Sequence, residues 1–568
     1  MPTKYNNDMN RMRKIVGIGL GFVLIVAIFF RFYQFPSNPP SLNWDEVAFG
    51  YNAYSILKTG KDEYGTAFPL YFRSLDDYKL PVNMYLTVGS IALFGYNDFA
   101  VRFPSAFLGV CTVLSLYFLV KGLLRYQVKT MKEREREIVS LLSAFILAIL
   151  PWHIQFSRMA AEANVGLFFL TLGVTLFIYA TQSLPWLLPV SIIALGFASY
   201  SYLSSRVVAS IMGFVLVMLF FKKLLHINKK IIVIAGICIT GIVSLLLWDI
   251  SSNKVHMRVA GTSVFGTQQA IDIFKHKEQE MFYDAALKIN LPRRLFHDNT
   301  YFTSADIIIR GYLTHFSPTF LFFDYDEKQH HTPFAGLFYL WMLPFMLIGW
   351  YCLFRKFQKR EAFLMLLWLL LAPIPASITW DIPHAIRVYS MVIPLVITTS
   401  LGMYYSFGYV KHYKNIRLFL VGFIGVLMGI SSYYYFHQYM LHLPIERSKD
   451  WVYGRKEMTE YLEKNKSKYD RIIVSSRLEW PYIFMLYYSK YDPKKYLEQG
   501  GTVSGGWAEE RNKYDIYEFH KFTNEDHRSL RTLFVGKPEE FGTSPSHIIN
   551  FLDGSPAIYM SEGNIKTQ

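Results

Sequence analysis

The chain has 568 residues, of which 52% are hydrophobic, 17% aromatic and only 18% charged. Soluble domains carry roughly 25% charged residues, so this composition excludes an ordinary soluble enzyme and points to an integral membrane protein with some polar mass outside the bilayer. The formal net charge is +15, but the basic residues lie in short segments between apolar runs, as in cytoplasmic loops, some of them placed to meet membrane lipid headgroups; this argues against nucleic acid as a partner.

In chain order, Lys4, Arg11, Arg13 and Lys14 precede an apolar run from Ile15 to Phe32. A signal peptide starts similarly, but Arg31-Phe32-Tyr33-Gln34-Phe35-Pro36 is not a small-residue cleavage site. The run is expected to stay as a first helix with its N-terminus in the cytoplasm. A span needs roughly 20 apolar residues. Further spans are expected near 103–124, 138–156, 164–181, 185–202, 205–221, 231–249, 334–354, 362–380, 388–410 and 418–437, about eleven in all. The three cysteines, Cys111, Cys238 and Cys352, lie within such runs and spell neither a metal motif nor a disulfide framework.

The segment Pro81 to Phe94 is apolar but short, and contains Asn83 and Gly89. If it does not cross, the clusters Lys121/Arg125/Lys129/Lys132/Arg134/Arg136, Lys222/Lys223/Lys229/Lys230, Arg355/Lys356/Lys359/Arg360 and Lys411/Lys414/Arg417 all fall inside. It is therefore expected to be an interfacial or re-entrant helix on the outer side. The outside then receives the loop 33–102, the turn Ser157 to Glu162, the large loop 251–333, the segment Thr379 to Arg387, and everything after 437. The expected division is a transmembrane domain over 1–437 and an extracytoplasmic soluble domain over 438–568. In the latter, Lys456 to Lys464 reads as a helix, and Arg471 to Val474, Arg531 to Val535 and Pro556 to Met560 read as strands, the pattern of a small α/β domain.

The outer ends of the spans carry the acids Asp45, Glu46, Glu162 and Asp381 and the bases Lys79, Arg102, Arg158, Arg206 and Arg387. The spans themselves are almost free of ionisable residues, whereas an ion-coupled transporter places such a residue within a span. Charge gathered at one face favours chemistry or binding at the outer membrane surface. An acid pair in a loop, as at Asn43-Trp44-Asp45-Glu46, is by itself ordinarily a solvated face.

The motif Asn43-Trp44-Asp45-Glu46, then Asp77-Tyr78-Lys79-Leu80-Pro81, Phe94-Gly95 and Arg102-Phe103-Pro104-Ser105-Ala106, resembles the start of polyprenyl-phosphate-sugar glycosyltransferases of the GT-C fold, among them protein O-mannosyltransferases and lipid A aminoarabinose transferases. The turn Ser157 to Glu162 is similar to their second acidic motif, and His384 to Arg387 to a basic element common among them. The resemblance covers residues 15 to 220 well and 330 to 410 loosely. It implies a helical GT-C membrane fold, a polyprenyl-phosphate sugar donor, an acceptor hydroxyl of undefined source, and inverting transfer on the extracytoplasmic face of the plasma membrane. It also implies Asp45 as the base, with Glu46 orienting the acceptor or holding a cation, and Glu162 binding acceptor or metal.

The chemistry of the residues agrees. A hydroxyl is a weak nucleophile until a base takes its proton, which a half-buried carboxylate can do. The leaving phosphate gains charge and needs fixed cations. Lys79 and Arg387 are the first expectation for these, with Arg102 and Arg206 in reserve. Asp45, Glu46 and Glu162 could together offer hard oxygen ligands to a divalent cation, but no metal is expected to be required. His330-His331 is not a metal pair, since adjacent histidines point apart on any regular element. The aromatic stretch Tyr312 to Phe323 reads as an interfacial helix. Oligosaccharyl transfer to asparagine is disfavoured, because Trp451-Val452-Tyr453-Gly454 lacks the second Trp and the Asp of that branch's Trp-Trp-Asp-Tyr-Gly signature. The alternatives are a transporter or flippase of lipid-linked sugars, which would need a lined path across the bilayer, and a non-catalytic envelope scaffold.

Overall fold

A computed structural model describes residues 2–568 apart from 76, 126–130, 252–262, 289–290, 292–295, 298, 324–328, 330, 358, 505–511, 524–525, 527–530, 543–544, 563–564 and 566–568. The chain opens with helices α1 (Pro2–Phe32), α2 (Trp44–Thr59), α3 (Pro81–Phe94), α4 (Asp98–Leu124), α5 (Glu133–Ile149), α6 (Pro151–Arg158), α7 (Glu162–Ala180), α8 (Leu187–Ser199), α9 (Leu203–Leu224) and α10 (Lys229–Ile250). Among the described residues, eight helices are long and apolar enough to cross a membrane: Asn10–Phe32, Asp98–Leu124, Glu162–Ala180, Leu203–Leu224, Lys229–Asp249, Lys359–Ser377, Tyr389–Tyr409 and Lys414–Glu446. The pair α5 and α6, bent by 57° at Leu150, makes a ninth if taken as one span.

The protein is thus a helical multi-pass membrane protein, with eight or nine candidate spans in place of the expected eleven. The expected span at 185–202 contracts to α8, 13 residues long, about 20 Å of helix against a hydrocarbon core of about 30 Å. The one at 334–354 is helical only over Met342–Lys356; Pro333 and the left-handed Phe334 (φ 55°) hold the preceding stretch in turns. α3 is likewise too short to cross, with 14 residues.

The chain divides into two compact units. The first comprises Met1–Phe30, Leu108–Phe156 and Ala163–Tyr434 and consists mostly of apolar helices, with the polar helix Gln268–Ala286 among them. Helices Met342–Lys356 and Val392–Tyr409 meet here backbone to backbone: a Cβ on Gly349 would stand 1.7 Å from the Thr398 carbonyl oxygen, and one on Gly402 1.8 Å from that of Phe345. Helices in lipid gain little from apolar burial and rely on such close approach. The expected interfacial aromatics of 312–323 divide: Phe320 and Phe322 are buried in this unit, while Phe323 is exposed. Cys352 is buried, Cys111 and Cys238 half-buried.

The second unit comprises Arg31–Phe107, Ser157–Glu162 and Tyr435–Gln568, a different division from a cut at 437. Residues 33–102 and the C-terminal region share one hydrophobic core: Val47, Ala48 and Tyr51 of α2, Met84 and Ile91 of α3, and Val101 pack with Ile472, Val474, Leu478, Tyr482, Leu533 and Val535. A two-stranded antiparallel ribbon, β1 (Phe72–Ser74) and β2 (Asp77–Lys79), precedes α3. The C-terminal region forms a mixed six-stranded sheet of β3 (Arg471–Val474), β4 (Lys513–Tyr514), β5 (Tyr517–Phe519), β6 (Thr532–Gly536), β7 (His547–Asn550) and β8 (Pro556–Ser561), in the order β4-β5-β3-β6-β8-β7. β3 runs parallel to both β5 and β6. β6 is buried at every residue, as its unbroken apolar run requires of a strand covered on both faces.

Candidate active site

The expected site begins at the N-terminus of α2. Asn43 is extended (φ −80°, ψ 175°), its side-chain oxygen accepts the Glu46 N–H at 2.9 Å, and the Glu46 carboxylate accepts the Asn43 N–H at 3.1 Å. This reciprocal capping box satisfies two N–H groups the helix cannot pair itself and sets Asp45 and Glu46 in the first turn, where the helix dipole favours carboxylates. The two acids then part. Asp45 is half exposed, whereas Glu46 is 1% exposed.

Glu46 is a structural hub. Its Oε1 accepts from Arg102 Nε at 2.9 Å and from the Ala160 N–H at 2.8 Å, and its Oε2 accepts from Arg102 Nη2 at 2.8 Å. Arg102 donates further to the carbonyls of Pro36 (2.7 Å), Pro39 (2.8 Å) and Ser41 (2.5 Å). A guanidinium has five N–H donors, and all five are used. Arg158, fully buried, donates to the Asn38 carbonyl at 2.9 Å and lies 5.2 Å from the centre of the Tyr439 ring. Two arginines thus take up the carbonyls of a proline-rich stretch that has no helix or strand to satisfy them. These contacts bear on two expectations. Arg102 has no donor left for a phosphate, and Glu46 would have to give up Arg102 to orient an acceptor or to join a cation with Asp45 and Glu162. Arg158, outside the expected site set, is instead one of its anchors.

Lys79, at the end of β2, lies 3.1 Å from Asp45 and 3.3 Å from Asp77. Residues 77 and 79 share a strand face because side chains alternate along a strand. The Lys79 side chain is 10% exposed and that of Asp45 is 37% exposed, so a nearly buried ammonium holds a carboxylate that still meets solvent. Glu162 is buried at the first turn of α7, at the end of the turn that Ala160 ties to Glu46. Asp45, Glu46, Lys79, Arg102 and Glu162 all belong to the second unit.

Arg206 and Arg387 belong to the first unit. Arg206 pairs with Asp249 at 3.2 Å and donates to the Ser199 carbonyl at 3.0 Å. Arg387 donates to Thr379 Oγ1 at 2.9 Å and to the Trp380 carbonyl, with its guanidinium 5.5 Å from the Trp380 ring centre. His331 is buried, and His330 lies outside the described residues. Among the described residues, no three His, Cys, Asp or Glu side chains gather in an arrangement suited to a metal ion.

No family model and no curated protein matches the sequence, but solved structures do. ArnT from Cupriavidus metallidurans bound to undecaprenyl phosphate matches with a TM-score of 0.52 at 10% identity, over 96% of this chain and 98% of that one. The fold is GT-C. Apo ArnT matches over the same shares with a TM-score of 0.50, so the GT-C likeness takes in the transmembrane helices and the C-terminal sheet alike. The Archaeoglobus fulgidus oligosaccharyltransferase in complex with Zn and sulfate matches less well, with a TM-score of 0.47 at 13% identity over 83% of this chain, which spans 61% of that protein's length.

Proposed function

We propose that the protein is a membrane glycosyltransferase that moves a sugar from a polyprenyl-phosphate donor to an acceptor hydroxyl on the extracytoplasmic face, with inversion. The observation that carries this reading is the Asp45–Lys79 pair, a solvent-reaching carboxylate 3.1 Å from a nearly buried ammonium, on a fold whose ArnT example binds undecaprenyl phosphate. Asp45 takes the proton of the acceptor hydroxyl as its oxygen attacks the anomeric carbon from the side opposite the phosphate. The anomeric carbon–oxygen bond breaks and its electron pair passes to the phosphate, which changes from a singly charged diester to a doubly charged monoester. Lys79 meets that added charge. Arg102, Arg206 and Glu46 act on the structure: Arg206 is held by Asp249, and Glu46 positions Asp45 by fixing the first turn of α2. Glu162 serves the acceptor. The reading requires no metal.

The test uses purified full-length protein in nanodiscs, with a panel of radiolabelled polyprenyl-phosphate sugars. Release of polyprenyl phosphate should be catalysed, and Asp45→Asn should reduce it by roughly 100- to 10,000-fold, the range for a positioned base, while donor binding persists. No release with any donor, or an Asp45→Asn protein near the wild-type rate, defeats the assignment.

A further inference from the structure

The turn that follows β3 carries two consecutive non-glycine residues in the left-handed region, Glu479 (φ 59°) and Trp480 (φ 49°). That conformation brings Cβ too close to the following carbonyl and is costly for any residue but glycine. It persists only where the surroundings over-determine it, and such strain gathers at functional sites. Here both flanks are fixed. Leu478 is fully buried, and its carbonyl accepts from Arg455 at 2.5 Å. On the other side, helix Pro481–Tyr488 is buried at every residue from Pro481 to Tyr487. The turn therefore cannot relax, and it sets Trp480 against Trp44, the residue before Asp45, with ring centres 5.6 Å apart and planes at 50°. Neither ring is fully buried. The chain neighbour of each is a half-exposed carboxylate: Asp45, 37% exposed, and Glu479, 38% exposed and 3.5 Å from Lys537.

We infer that Trp44 and Trp480 form an aromatic platform for a carbohydrate acceptor beside Asp45. The inference rests on the glycosyltransferase reading of that site and gives its acceptor a chemical class. A pyranose has a C–H-rich face that lies on an aromatic plane and a rim of hydroxyls that donate to carboxylates. Two indoles, each next in the chain to a half-exposed carboxylate, offer both. An acyl chain would have no use for the carboxylates, and an extended peptide would need main-chain partners that a pair of rings does not supply. The tilt between the rings leaves a corner, which suits a sugar unit with a neighbour attached. The C-terminal sheet thereby contributes to acceptor choice through Trp480.

The experiment labels the full-length protein with 5-fluorotryptophan, in nanodiscs of synthetic phospholipid free of glycosidic detergent. The fluorine signals of positions 44 and 480 are assigned from their loss in Trp44→Phe and Trp480→Phe. Cello-, manno- and chito-tetraose are titrated separately, followed by a Ser/Thr-rich peptide and a fatty acid. At least one tetrasaccharide should shift both signals with the same saturation curve. Trp480→Ala should abolish the shift at position 44, and Trp480→Phe should weaken it by a few-fold. Each variant's near-ultraviolet dichroism reports whether it is folded. If no tetrasaccharide moves either signal up to its solubility limit, or if only the peptide or the fatty acid does, the platform is not a sugar site. Release of polyprenyl phosphate is measured on the same samples: tetrasaccharide shifts without any release would sink the transferase reading and spare the platform, and release without shifts would do the reverse.

Discussion

At the scale of single residues, the two adjacent acids of the Asn43-Trp44-Asp45-Glu46 motif have opposite environments and should fail in opposite ways. Glu46→Gln removes the charge that balances a fully buried Arg102. Breaking such a pair costs roughly 3–5 kcal/mol, so the thermal midpoint of the purified protein should fall markedly. Asp45→Asn should leave that midpoint close to wild type. A Glu46→Gln protein with an unchanged midpoint and no activity would return Glu46 to acceptor chemistry. Lys79→Ala should lose roughly 2–4 kcal/mol of transition-state stabilisation, by analogy with other donors to developing negative charge; rates measured at saturating donor decide it, and an unchanged rate would exclude Lys79 from the phosphate. Part of this site was legible in the sequence. The spacing Asn43-x-x-Glu46 is a capping-box signature that by itself separates Glu46 from Asp45. The partner of Glu46 was not legible, because Arg102 lies 56 positions away and no local pattern links them.

At the scale of elements, α2 is joined to the C-terminal region through a buried carboxylate. Glu63, fully buried just beyond α2, accepts from Asn52 at 2.9 Å and from Thr502 Oγ1 at 2.7 Å. Burial outweighs these hydrogen bonds and raises its pKa from an ordinary 4.5 to about 7. The folded state therefore holds this proton more tightly than the unfolded state does. The stability it contributes is complete below about pH 4.5 and is lost as pH rises through about 7. The thermal midpoint should fall between about pH 5 and about pH 8 for this reason, and Glu63→Gln should flatten that part of the profile. An equal slope in both proteins would show that Glu63 does not ionise there. Among the strands, β3, β6 and β8 are apolar runs that the sequence announces within a residue or so. β4, β5 and β7 are short and interrupted by Lys513, Glu518 and His547, and they become strands only by pairing with neighbours. In the membrane region, counting apolar residues overstates the spans, because Pro151, Pro185 and Pro333 start helices or hold turns inside runs that hydropathy alone treats as continuous.

At the scale of the whole molecule, the distribution of basic residues predicts the orientation. Lys132 and Lys356 should face the cytoplasm, and α2 and the residues after 437 the outside. On a background with the three native cysteines replaced, Lys58→Cys should react with an impermeant maleimide in intact cells. Lys132→Cys and Lys356→Cys should react only after permeabilisation, and the reverse pattern would invert the proposed location of the site. The membrane class and the helix-rich fold were legible because apolar composition is a bulk property. The grouping of residues 31–107 with 435–568 was not, since its contacts join residues hundreds of positions apart, such as Tyr487 to Asp98 across 389 positions and Thr502 to Glu63 across 439.

That grouping bears on the order of events during synthesis. The ribosome delivers the loop carrying Asp45 long before the strands that complete its core, so Val47, Tyr51 and Met84 must wait, apolar and uncovered, while the intervening helices are inserted. Transiently exposed surface of this kind invites misassembly. A stop codon placed after the last helix of the membrane region would not yield a trimmed enzyme. It would leave the Asp45 loop without half of its interior, and the nascent chain would become a client for quality control even though every span had been inserted.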